Sequence, residues 1–135
     1  MLEDYENALP LYKEAYQLAL EHKSIELQQV SGIMLIKYLC GARYYSESLE
    51  YYNKIKPEIA FNPSMQNEVV KSYMELNKPD SARIYLAARL LSERGDKIVL
   101  NCMMAETYIT EELEDSAFVF LDRAMKSYKE KAKNY

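Results

Sequence analysis

Four small residues, Ala8, Ser48, Ala82 and Ala117, recur along the chain at separations of 40, 34 and 35 residues. Each is followed four residues later by a large apolar side chain: Tyr12, Tyr52, Leu86 and Leu121. Nine residues before the last three stand Leu39, Tyr73 and Tyr108, each preceded by an apolar pair, Leu35–Ile36, Val69–Val70 and Met104–Ala105. Steps of three and four put side chains on one helical face. The pattern is a two-helix unit of about 34 residues, used three times with half a unit in front. A unit of that size cannot bury its apolar face alone, so neighbours must stack.

Composition agrees with helices and excludes other classes. The chain has 135 residues, enough for a real core without metals or several disulfides. Only three Gly and four Pro leave little material for turns, which disfavours a sandwich, a barrel or a glycine-loop nucleotide enzyme. Further apolar stripes at helical spacing run through Tyr5, Ala8, Leu9, Tyr12, Ala15, Tyr16 and Ala19, and through Ile84, Tyr85, Leu86, Ala88 and Leu91. Dividers fall at Ser24, Gly41-Ala42-Arg43, Lys56-Pro57, Asn62-Pro63, Lys78-Pro79-Asp80 and Gly95-Asp96. Asn62 is expected to cap a helix with Pro63 at its first position, and Pro79 with Asp80 to open the next in the same way. Gly95 is expected to end a helix in the left-handed conformation, with Asp96 capping the one after. If the first helix starts near Asp4, Pro10 falls past its first turn, where it costs one hydrogen bond and adds a bend; a start at Asn7 would avoid this but strand Tyr5.

The segments Asp4-Tyr5-Glu6-Asn7-Ala8 with Tyr12 and Ala15, Tyr45-Ser46-Glu47-Ser48 with Tyr52, Pro79-Asp80-Ser81-Ala82 with Leu86, and Glu114-Asp115-Ser116-Ala117 with Leu121 and Ala124 resemble the tetratricopeptide repeat family. The resemblance covers nearly the whole chain. It implies an all-α fold, a right-handed alpha-alpha superhelix of about seven antiparallel helices. It implies one repeat domain over 1–135, with a half repeat at 4–23 and repeats at about 25–57, 63–94 and 97–132. The family prefers a small residue seven after the anchor; Ala15 and Ala124 fit, whereas Ile55 and Arg89 depart from it. Arg89 is expected to lay its stem along the groove and send its head to water. The 40-residue spacing implies an extra turn or more between Ala8 and Leu35.

By the resemblance, the first helix of each pair lines a concave groove and the second forms the back. The groove wall then includes Ile33, Lys37, Asn67, Lys71, Met74, Cys102, Met103 and Glu106. Some members of the family hold the C-terminal carboxylate of chaperone peptides in a Lys and Asn clamp. Lys37, Asn67 and Lys71 supply part of that set, but Val99 and Met103 stand where polar or basic groups are wanted. A mixed groove of Met and Lys suits a peptide or helix with apolar and acidic character.

No catalytic constellation is visible. His22 is the only histidine, in a charged turn between Glu21 and Lys23, which excludes a multi-His metal site. No nucleophile-elbow, Walker or dinucleotide glycine motif occurs. The acidic pairs Glu111-Glu112 and Glu114-Asp115 are expected at a helix start, where they suit the dipole. Neither a cofactor nor a metal is expected, and the chain reads as a non-enzyme.

The net charge of −4 carries no basic stripe of the kind a nucleic-acid binder shows. Lys126, Lys129, Lys131 and Lys133 instead suit a helix C-terminus. Val30 to Ile36 is far short of the roughly 20 apolar residues a membrane span needs. The acidic start has no apolar signal region. Cys40 and Cys102 lack metal or redox spacing and are both expected as buried thiols. A cytoplasmic chain is expected, or a periplasmic one if a leader has been removed. Among 13 tyrosines, Tyr45 and Tyr52 fall at inward repeat positions, whereas Tyr44 and Tyr51 should point to the back or edge.

The chain begins with a second-type helix and ends with another. Solenoids are usually capped at both ends. The sequence therefore reads as a fragment of a longer array, with end-to-end homodimerisation as the other reading. The functional expectation is a protein–protein interaction scaffold that presents a groove to a peptide or partner protein. The alternative is the sensory or self-association half of a larger bacterial signalling or transcription regulator, in which a separate domain binds DNA.

Overall fold

The computed structural model describes residues 2–59, 65–92 and 95–133, with the side chains of 2–5 and 56–59 left aside. Seven helices occur among the described residues: α1 (Leu2–Glu21), α2 (Ile25–Gly41), α3 (Tyr45–Ile59), α4 (Gln66–Glu75), α5 (Pro79–Leu91), α6 (Lys97–Thr110) and α7 (Glu114–Ala132). No strand occurs among them. The chain divides into two compact units, Met1–Asn77 with α1 to α4 and Lys78–Tyr135 with α5 to α7. The division falls in the α4–α5 turn, inside the repeat expected at about 63–94.

Four of the turns share one device. Lys23, Arg43, Asn77 and Glu112 have φ of 53°, 69°, 57° and 61°. In three of them the next amide donates back to the sixth-residue carbonyl: Ser24 to Ala19, Tyr44 to Leu39 and Leu113 to Tyr108. This is the Schellman closure, which satisfies helix-end carbonyls and reverses the chain in three residues. It usually takes Gly, and here four other residues bear the left-handed strain. The left-handed residues at 43, 77 and 112 lie 34 and 35 residues apart, so the turn repeats with the anchors.

Gly95 is not among the left-handed residues, contrary to expectation. It answers a different need, close approach. A Cβ there would collide with Leu100 Cδ1 and lie 3.1 Å from the Arg89 carbonyl oxygen. Asp96 caps α6 as expected, accepting from the Ile98 amide at 3.0 Å and the Val99 amide at 3.3 Å. Ser24 caps α2 through the Leu27 amide. Pro79 opens α5, although the capping residue is Lys78, which makes no side-chain cap. Lys56-Pro57 does not divide helices: α3 runs on to Ile59. Proline's fixed φ is helical, so the helix can continue through it at the cost of one hydrogen bond and a local clash with the preceding turn. Pro10 lies inside α1. The Asn62-Pro63 cap lies outside the described residues.

In the first unit, α1 packs on α2, α2 on α3, and α4 on both α2 and α3. Leu35, Ile36, Leu39, Met65 and Val69 are fully buried there. Each such side chain contributes about 1.5–3 kcal/mol by leaving water. The anchor Ser48 is buried and its hydroxyl donates to the Ile36 carbonyl at 2.9 Å, so a polar anchor is satisfied at the α2–α3 crossing. Gly32 on α2 faces Ile55 on α3, whose Cδ1 fills the space a Cβ would take. α1 and α2, at 20 and 17 residues, carry the extra length expected between Ala8 and Leu35.

In the second unit, α6 packs on both α5 and α7. Ala82, Leu86, Leu100, Ala105 and Ala117 are buried. Arg89 is 3% exposed, so its head does not reach water as expected. Leu121 departs from its repeat counterparts: it is 38% exposed, whereas Tyr52 and Leu86 are buried.

Candidate functional site

α2 and α4 are in contact in the first unit and carry five of the eight sequence-selected groove residues: Ile33, Lys37, Asn67, Lys71 and Met74. Lys37 stands half-buried on α2. On α4, Asn67, Lys71 and Met74 follow at steps of four and three, which one helical face collects. Asn67 and Lys71 are exposed and Met74 is half-buried. The helices meet at Cys40, whose thiol lies 3.7 Å from the Glu68 carbonyl oxygen. Burial pushes the Cys40 thiol up, against a smaller opposing pull from Ser72 and from the Lys71 charge. Neither lysine forms an ion pair with a carboxylate among the described residues.

The remaining three, Cys102, Met103 and Glu106, lie on α6 in the second unit, with Met103 and Glu106 neighbours by one turn. Met103 is half-buried and Glu106 exposed. Cys102 is exposed, not buried. The buried residues of α6 are Leu100, Asn101, Met104, Ala105 and Thr107, which leaves position 102 on the opposite side. Ile33 is half-buried on α2.

The tyrosines are mostly committed to packing. Tyr12 of α1 stacks on Tyr38 of α2 with centroids 5.0 Å apart, and Tyr16 meets Tyr51 of α3 edge-on at 5.6 Å. The Tyr38 hydroxyl, then burial, hold the Tyr12 phenol in its neutral form and raise its pKa. Tyr51 is therefore packed, while Tyr44 is 46% exposed. Lys13 pairs with Glu47 at 2.7 Å and ties α1 to α3. The Glu47 carboxylate raises the Lys13 pKa, partly offset by burial.

A cleft of about 550 Å³ lies between the start of α6 and the end of α7. Two of its polar groups serve the fold: Asp96 caps α6, and the Lys97 ammonium donates to the Leu90 and Ser92 carbonyls. Glu111 and Glu112 close α6 and do not start a helix; Glu111 pairs with Arg83, and Glu114 and Asp115 open α7. His22 is exposed in the α1–α2 turn. Among the described residues no group of three His, Cys, Asp or Glu is placed to hold a metal, and no helix is long and apolar enough to cross a membrane.

The residue set that sequence reasoning missed is the outer face of α7: Phe118, Leu121, Met125 and Tyr128 are all exposed. Their spacing of three, four and three was readable, but the repeat pattern assigned Leu121 inward. Compared with protein-family models, curated proteins and solved structures, the chain matches none of them.

Proposed function

We propose that the chain is a non-catalytic interaction module, a right-handed superhelix of tetratricopeptide-like repeats that binds a protein segment. The 34- and 35-residue spacing of the left-handed turn residues supports the repeat reading beside the sequence anchors. The observation that carries the binding reading is that Lys37 on α2 and Lys71 on α4, two helices in contact, form no ion pair with a carboxylate among the described residues, and that Asn67 and Met74 share α4 with Lys71. Two such ammonium groups favour a ligand that brings negative charge, Asn67 can donate and accept, and Met74 adapts to apolar side chains. The ligand class is a peptide or helix with both acidic and apolar residues. Met103 and Glu106 on α6 are assigned a contact role in the second unit.

The test is selection from a displayed random-peptide library against the full chain. Peptides mixing Asp or Glu with apolar residues should be enriched, and should bind at least about tenfold more weakly when Lys37, Asn67 and Lys71 are together changed to Ala. Selected peptides that bind this variant as well as wild type, with its helical circular dichroism intact, would remove the site.

A further inference from the structure

α7 carries two apolar stripes. One, Ala117, Phe120 and Ala124, turns to α6: both alanines are buried and Phe120 stacks on Tyr108 with centroids 5.5 Å apart. The other lies one residue round the helix, about 100° away. It consists of Phe118, Leu121, Met125 and Tyr128, exposed by 64%, 38%, 56% and 60%. Their spacing of three, four and three is that of a coiled-coil seam. A helix that is apolar on two sides is normally covered on both.

The charges along α7 say what covers it. Glu114 and Asp115 lie in the first turn, and Lys129 and Lys131 in the last. A seam with acid at one end and base at the other is complementary to itself when turned end for end. We propose that two copies of this chain associate through α7, packed antiparallel about a two-fold axis midway between Leu121 and Met125. Phe118 of each copy then meets Tyr128 of the other, and Leu121 meets Met125. Asp115, flanking the seam, faces Lys129 of the second copy. A parallel pairing would set acid on acid and base on base. Asp122, which meets its own equivalent near the axis, is held by Lys126 at 3.0 Å within its own helix, which lowers that repulsion. The contact is isologous and closes at two copies. It uses a different surface from the α2–α4 site and stands independently of the peptide-binding reading.

Sedimentation velocity on the full chain at about 1 to 500 μM, the range where small interfaces dissociate, tests this. Wild type should pass from monomer to dimer. Asp115→Lys and Lys129→Glu should each weaken the dimer about tenfold or more. An equimolar mixture of the two variants should dimerise again, as should the double variant. Asp115 and Lys129 are 14 residues apart, about 21 Å along one helix, so the rescue cannot arise within a chain. Circular dichroism checks that each variant remains helical, and the mixing experiment uses two proteins of unchanged fold. Met125→Glu, at an exposed position, should abolish the dimer. A wild type that stays monomeric overturns the proposal and leaves the stripe to another protein or another segment. A dimer untouched by Met125→Glu, or single variants not rescued by mixing, also overturns it.

Discussion

The guanidinium of Arg83 lies flat against α6, its central carbon 3.9 Å from the centroid of the Tyr108 ring. Its Nε donates to Thr107 Oγ1 at 3.0 Å and one terminal nitrogen donates to the Thr107 carbonyl at 2.9 Å. Glu111 and Asp80 add ion pairs, the second at 3.4 Å. One side chain thus satisfies a helix-end carbonyl, covers an aromatic face and joins α5 to α6. Arg83→Ala should cost about 2 kcal/mol of unfolding free energy, and Arg83→Lys more than half of that. Lysine keeps the charge but has no planar fork for two acceptors and a ring at once. Urea unfolding of the variants measures both; a fully tolerated lysine would show that charge alone matters.

Gly32 and Ile55 are coupled across the α2–α3 contact. A Cβ at position 32 collides with the end of the Ile55 side chain, so Gly32→Ala forces that chain to move. Ile55→Val removes the colliding methyl and should cost about 1 kcal/mol in wild type. In the Gly32→Ala background it should cost almost nothing, because the methyl is then a liability. A double-mutant cycle reads the difference directly, and an additive cycle would contradict the contact.

Ala82 has no exposed surface at the anchor of α5. Ala82→Leu should overpack this position and lower stability by about 1–3 kcal/mol. Thermal unfolding of the variant checks it; an unchanged midpoint would break the repeat phasing.

The two cysteines should separate cleanly. Cys102 is exposed and Cys40 buried, so one thiol per chain should react with a disulfide reagent in native buffer and the second only in denaturant. Burial raises the Cys40 pKa, and the Tyr38 hydroxyl and burial raise that of Tyr12. Burial does the same for Tyr73. The folded state binds these protons more tightly than the unfolded one. Their contribution is fully present below the unfolded pKa values and is lost as pH rises through the folded ones. Urea midpoints should therefore fall above about pH 9. A midpoint that rises with alkali would reverse the sign.

Seven helices and most of their breaks were legible because they depend on local chemistry. Ser24 and Asp96 cap by their own side chains, and the anchors Ser48, Ala82 and Ala117 are buried where spacing put them. What failed depends on neighbours far in sequence. Gly95 is needed for a close approach to Leu100 and the Arg89 carbonyl and not for its φ. The left-handed positions went to Lys23, Arg43, Asn77 and Glu112, residues with no glycine to mark them. Leu121 and Arg89 show the same limit in opposite directions. Periodicity selects a helical face, but only the packing of other elements decides whether that face is covered. For the candidate α2–α4 site, the positions on one helix were readable, whereas the lack of carboxylate partners for Lys37 and Lys71 among the described residues was not.

The binding reading is tested most directly by hydrogen exchange on the full chain with and without a library-selected acidic–apolar peptide. Amides of α2 around Lys37 and of α4 from Asn67 to Met74 should slow on binding, and lose that protection when Lys37, Asn67 and Lys71 are changed to Ala. Unchanged exchange in both helices under saturating peptide, with protection appearing elsewhere in the chain, would contradict it.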